Sequence, residues 1–148
     1  MSELKLFEFE ELPKHLEELP RPRKITIVKS SSGRWFLCFS LFEDLFTYNY
    51  PLKTSEKGRK VIAEMLNAEI KETNFAFFGV LTEPGSSYDR FYLYEKEGKV
   101  ICVLLAMNSD SKRKEPTGCQ FSFEISRPEL IPETSIEHSC IVFHEDFN

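Results

Sequence analysis

Hydrophobic positions along the chain fall into short runs, and most of these runs have the length and period of strands. "KITIVKSSSGRWFLCFSLF" predicts a β-hairpin. Ile25, Thr26, Ile27 and Val28 are β-branched, Ser30 to Gly33 supply turn chemistry, and Trp35, Leu37, Phe39 and Leu41 alternate with Phe36, Cys38, Ser40 and Phe42. Both faces of that second strand are largely apolar, which predicts cover on both sides. "RFYLYEKEGKVICVLLAMN" predicts a second hairpin, turning at Glu97 and Gly98. "CQFSFEI" is the cleanest amphipathic strand: Cys119, Phe121, Phe123 and Ile125 on one face, Gln120, Ser122 and Glu124 on the other. "NFAFFGVL" is apolar at both parities, and "HSCIVFH" is expected as the last strand. "EPGSSYD" and "SDSKRKEPTG" read as loops, and "RPELIPETSI" as an extended connection.

One stretch has the other period. In "TSEKGRKVIAEMLNAEIKETN", Val61, Ile62, Met65, Leu66 and Ile70 recur at helical spacing, with Lys60, Glu64, Asn67 and Lys71 on the opposite face. Thr54 or Ser55 is the expected N-cap, and Asn74 the expected left-handed stop. "PKHLEEL" reads as a short helical turn with Pro13 at its start, and Pro20 and Pro22 then impose extended backbone. The order, roughly β-β-α-β-β-β-β-β, lacks the alternation of a parallel sheet. It predicts an α+β fold: a mostly antiparallel sheet of about five to seven strands, with one long helix packed on one face. The 148 residues suit a single domain, 1–148, in which residues 1–23 form an N-terminal arm leading into the first hairpin.

Composition adds three constraints. Fourteen Phe predict an aromatic core, since each buried ring removes roughly 150–250 Å² from water. The net charge of −5 weighs against a generic nucleic-acid binder, whose affinity comes from neutralising phosphates, but leaves a local basic patch open. Cys38, Cys102, Cys119 and Cys140 form no CxxC pair, and "MSELKLFEFEELPKH" is charged from its third residue, so no secretory leader is expected. Reduced thiols and a cytoplasmic location follow as expectations. The longest apolar run, "VICVLLAM", falls short of the roughly 18–20 residues of a membrane span, so no membrane partner is expected.

Candidate chemistry is sparse. His138, Cys140 and His144 share one face if "HSCIVFH" is a regular strand. His138 and His144 would then lie ~20 Å apart, too far for bonds of ~2 Å to one ion. No metal is expected. Cys38, Cys102 and Cys119 sit mid-strand in apolar company, with no histidine placed beside them, so cysteine catalysis is not expected. The six glycines are scattered, and no phosphate loop, HExxH, GxSxG or EF-hand pattern occurs, so no cofactor is expected. The balance is against an enzyme.

The basic positions remain. "RPRK" (Arg21 to Lys24) precedes the first hairpin, and Lys29, Arg34 and Trp35 follow on it. Together Arg21, Arg23, Lys24, Lys29, Arg34 and Trp35 form the candidate partner-binding set: cations for a backbone and a ring for stacking. The stretch from Arg21 to about Asp44 resembles the β-hairpin preceding the nuclease domain of transposon-encoded RNA-guided nucleases of the TnpB type. Those show a basic, proline-containing lead, a strand such as "KITIV", then "GRW" and an aromatic strand. The resemblance implies a following strand with a catalytic Asp in a DxG setting, and a zinc-ribbon CxxC pair. Here "TYNYPLKTSEKGRK" follows, with neither, so no nuclease activity is carried over. The expected function is a small, acidic, non-enzymatic interaction protein: an adaptor, assembly factor or inhibitor of a larger complex, with a protein partner. The alternatives are a nucleic-acid-binding module built on the basic and aromatic hairpin 21–42, and a small enzyme with an unrecognised site.

Overall fold

The computed structural model describes residues 10–75, 81–84, 89–107 and 116–143. The strands are β1 (Glu10–Glu11), β2 (Lys24–Ser30), β3 (Trp35–Leu41), β4 (Phe46–Pro51), β5 (Glu69–Phe75), β6 (Leu81–Pro84), β7 (Arg90–Lys96), β8 (Lys99–Met107), β9 (Pro116–Glu124), β10 (Ile136–Glu137) and β11 (Cys140–Ile141). The helix is α1 (Glu56–Leu66). Among the described residues the protein is mostly β with one α-helix. The strands divide between two sheets rather than the one expected: a five-stranded sheet in the order β5-β2-β3-β4-β6, and a six-stranded sheet in the order β10-β11-β7-β8-β9 with β1 added along β7. The β2–β3–β4 and β7–β8–β9 pairings are antiparallel, while β2–β5, β4–β6 and β1–β7 are parallel.

One aromatic cluster joins the sheets. Phe39 of β3 has its ring centroid 4.8 Å from that of Phe121 and 5.1 Å from that of Phe123, both on β9, and 6.1 Å from Phe91 on β7. The alternation in the sequence makes this possible: Leu37, Phe39 and Leu41 are buried on one face of β3, and Phe121 and Phe123 on one face of β9, with Ile125 buried just beyond its end. At the opposite parity of β3 Cys38 is buried while Phe36 and Ser40 are half-buried, so the cover expected on both faces is complete on one and partial on the other. On the far side of the six-stranded sheet, Leu12 and Leu16 of the N-terminal arm pack against Ile101 and Val103 of β8. A single turn of 3-10 helix at Lys14–Leu16, following Pro13, places them there.

The helix is shorter than its sequence pattern. Ser55 caps it by accepting a hydrogen bond from the Gly58 N–H at 3.0 Å. Asn67, not Asn74, ends it: its φ of 54° is left-handed, and the Ala68 N–H donates back to the Ala63 carbonyl at 2.8 Å. Ile70 therefore leaves the helical stripe and sits exposed on β5. Ile62, Met65 and Leu66 do enter the common core. The Met65 carbonyl accepts from the Arg127 N–H at 3.0 Å, which ties the helix end to the segment after β9.

Two further expectations are corrected. The aromatic strand β4, with Tyr48 fully buried, lies where no strand was expected. "RPELIPETSI" holds two turns of 3-10 helix, Pro128–Leu130 and Glu133–Ser135, rather than extended chain. The "EPGSSYD" and "SDSKRKEPTG" loops and most of "NFAFFGVL" lie largely outside the described residues, as does the side chain of Cys119. Among the described residues no helix is long and apolar enough to cross a membrane.

Candidate functional site

The basic and aromatic residues picked out from the sequence do not form one patch. Lys24 and Lys29 lie on one strand about 16 Å apart, at ~3.3 Å per residue. The set divides between the two ends of the β2–β3 hairpin. At one end Lys29 pairs with Trp35 across the strands, and Arg34 lies 5.7 Å from the centroid of the Phe36 ring. Trp35 is half-buried against the core. The Arg59 guanidinium of α1 stands 4.2 Å from its ring centroid and also donates to the Thr54 carbonyl at 2.9 Å. One face of the only Trp is thus already covered, which removes the simplest stacking surface for a base.

At the other end Arg21, Arg23 and Lys24 are exposed. Arg23 donates to the Asp44 carboxylate at 3.0 Å. Lys24 has its pKa lowered by the side chain of Lys71 on β5, first through a hydrogen bond and then through charge. Here the β3–β4 loop projects. Leu41 still pairs with Phe46, so Phe42 to Leu45 form a four-residue turn, closed by the Leu45 N–H donating to the Phe42 carbonyl at 3.1 Å. Phe42, Glu43 and Asp44 have φ of 52°, 56° and 70°. Left-handed backbone costs non-glycine residues roughly 1–2 kcal/mol each. The turn presents Phe42 at 58% and Leu45 at 66% exposure, the two most exposed large hydrophobics among the described residues. Sequence reasoning placed Phe42 as the last residue of a strand. The signal available was "FEDL" itself, two acids between two large apolar residues.

A second place gathers mixed polar groups. A cavity of about 490 Å³ lies where the β10–β11 turn meets β7 and β4, with Tyr50, Arg90, Tyr92, Glu137, His138 and Cys140 on its walls. The C-terminal strand expected to carry His138 and Cys140 on one face is instead a tight hairpin. Glu137 pairs with Cys140, and His138 and Ser139, with φ of 49° and 65°, form its two-residue turn. His138 is exposed on the turn, Cys140 is buried on β11, and His144 lies outside the described residues. Among the described residues no three His, Cys, Asp or Glu are grouped so as to hold a metal ion.

At the rim of the cavity Tyr48 donates its hydroxyl proton to the buried Asp89 carboxylate, and Arg90 donates to the Asp89 carbonyl at 3.1 Å. Burial pushes the Tyr50 hydroxyl up, with the Asp89 charge adding to it, so Tyr50 stays protonated at neutral pH. Burial also pushes the Cys140 thiol up, against the opposing pull of Arg90. A thiol held protonated is a poor nucleophile. Cys38 and Cys102 are free and buried, and burial raises the Cys38 thiol to about 12.

Among the described residues the fold is thus a mostly β, two-sheet core with one α-helix, carrying an exposed apolar tip and a cavity of mixed polar and apolar lining. No family model, curated protein or solved structure compared with the chain matches it.

Proposed function

We propose that the protein is a small, acidic, non-enzymatic interaction module, an adaptor, assembly factor or inhibitor of a larger complex, that docks on a protein partner through the Phe42–Leu45 turn. The supporting observation is the pairing of exposure with backbone cost at that turn. Two large apolar side chains, Phe42 and Leu45, stand in water on a turn whose residues Phe42, Glu43 and Asp44 are held left-handed without glycine. Costly backbone that nothing in the core requires is best accounted for by binding. The partner offers an apolar cleft for the Phe42 and Leu45 side chains. Arg21, Lys24 and Glu43, exposed around the turn, supply a polar rim that makes association salt-sensitive. The whole chain, 1–148, acts as one unit in this reading. A cytoplasmic setting goes with it, because the described cysteines are free thiols.

A second reading, a nucleic-acid-binding module, is favoured by one observation: Lys24 and Lys71 stand side by side near Arg21 and Arg23. The two readings part in one experiment. Binding to mixed-sequence single- and double-stranded nucleic acid is measured at near-physiological salt, with Arg21, Arg23 and Lys24 changed to Glu as control. Interaction through the turn predicts only the weak contact, about 10⁻⁴ M, of non-specific binding. Sub-micromolar binding abolished by the three changes would replace the protein-partner reading with the nucleic-acid one.

A further inference from the structure

Strand β5 forms one edge of the five-stranded sheet, and among the described residues only β2 pairs with it. An open strand edge is a template for a further strand. Along this one Glu69, Ile70 and Glu72 are exposed and Lys71 is half-buried. Ile70, at 37% exposure, is one of three large hydrophobics left in water among the described residues. It lies opposite Ile27 of β2, hence on the face of the sheet that α1 covers. An open groove runs there between the helix and β5, and its small side chains Ala63 and Ala68 leave room for an incoming apolar one. Glu69 and Lys71 project from the other face, where Lys71 crowds Lys24 and lowers its pKa. Within the chain Lys71 meets Glu69 at 3.9 Å, two positions along the same strand.

We infer that β5 pairs antiparallel with β5 of a second copy of this chain, centred on Ile70, so that two five-stranded sheets join into one across a two-fold axis. Charge complementarity selects this occupant. Read in opposite directions, Glu69–Ile70–Lys71 sets Glu69 against Lys71 of the second copy, Lys71 against its Glu69, and Ile70 against its Ile70. Side chains directly opposite in an antiparallel pair have Cβ atoms about 4.5–5.5 Å apart. That is nearer than the roughly 6.6 Å between alternate residues of one strand, so each lysine gains a better-placed carboxylate than its own strand offers. Other registers lose this match. A slip of one residue sets Glu69 against Glu72, and a slip of two sets Lys71 against Lys71. The interface uses the same patch on both copies, so it closes at two. Since β2 lies between β5 and the β3–β4 pair, both Phe42–Leu45 turns stay free in the dimer, and the inference stands apart from the protein-partner reading.

The test is sedimentation equilibrium of the full chain at near-physiological salt. A reversible monomer–dimer equilibrium with Kd at or below about 100 μM is expected. Glu69→Lys and Lys71→Glu each set like charges opposite one another at both pairs, and each should weaken the dimer at least about tenfold. Mixing the two variants is the decisive arm. Two lysines on one strand then face two glutamates on the other, and a one-to-one heterodimer should form at about the wild-type affinity, which no effect within a single chain reproduces. The double variant carrying both changes should dimerise to within about threefold of wild type. Thermal melts of each variant will confirm that it folds, as expected for changes at the surface. The inference is overturned if the wild-type chain stays monomeric at about 500 μM. It is equally overturned if the single variants dimerise as well as wild type, or if the mixed variants fail to associate.

Discussion

Trp35 and Phe42 bracket the same strand, and the structure treats them in opposite ways. Trp35, at one end of the five-stranded sheet, is half-buried and has the Arg59 guanidinium of the helix over its ring. Phe42, at the other end, is 58% exposed on a turn whose backbone is itself unfavourable. The first is explained by folding alone: an aromatic closes the end of the core, and a helix closes the aromatic. The second is not, because leaving a ring in water gains nothing and the left-handed turn costs energy. Where folding gains nothing from an arrangement, binding is the economical explanation, and the open end of the sheet is where the interaction surface belongs.

The largest expected effect lies between those ends. Phe39 reaches Phe91, Phe121 and Phe123 of the opposite sheet, so Phe39→Ala should cost about 3–5 kcal/mol in denaturant unfolding. A loss under about 1 kcal/mol would mean that the sheets are not joined through this ring. The comparison of ends comes next. Trp35→Ala should cost roughly 1–3 kcal/mol, while Phe42→Ser should stay within about 0.5 kcal/mol. Equal losses would erase the distinction between a closed and an open end.

Between the ends, Cys38 offers a pH test. Its thiol is raised to about 12 in the fold, so its contribution is fully present below the ordinary thiol pKa and is lost as pH rises toward 12. Above about pH 8.5 wild-type stability should fall by roughly 1.4 kcal/mol per pH unit more than that of Cys38→Ala. Parallel slopes in the two proteins would show that the thiol is not buried as described. The smallest effect is a gain. Glu43→Gly relieves a left-handed residue, φ 56°, and should stabilise the protein by up to about 1 kcal/mol. A loss at this position would mean that the Glu43 side chain holds the turn.

Much of this was legible in the chain, and the misses have physical causes. The β2–β3 hairpin, the Glu97–Gly98 turn and the alternating face of Phe121, Phe123 and Ile125 follow from period-two patterning and turn chemistry, which are local. The division into two sheets is not local, since it depends on which strands pair across long stretches of chain. The helix pattern ran on past Leu66 because Ile70 keeps helical spacing, yet Asn67 stops the helix and β5 pairs with β2 instead. The C-terminal hairpin was hidden because His138 and Ser139 turn left-handed without the glycine that usually signals it. The candidate site suffered most. Arg21, Arg23 and Lys24 are adjacent in sequence and in space, but Lys29, Arg34 and Trp35 belong to the opposite end. Arg90 and Glu137 line one cavity through the pairing of β7 with β11 and of β11 with β10, for which the sequence carries no marker.

The central claim is that Phe42 and Leu45 face a partner rather than the core. It is tested most directly by recovering the protein that co-purifies stoichiometrically with the chain from its native host. That protein is then purified, and its affinity for wild type is compared with its affinity for the Phe42→Ser, Leu45→Ser double variant. Burying two such side chains is worth roughly 1.5–3 kcal/mol each, so the variant should bind about a hundredfold or more weakly. Its melting temperature should match that of wild type. A variant that binds the purified partner as tightly as wild type, with the same stability, would contradict the account and move the interaction surface elsewhere on the molecule.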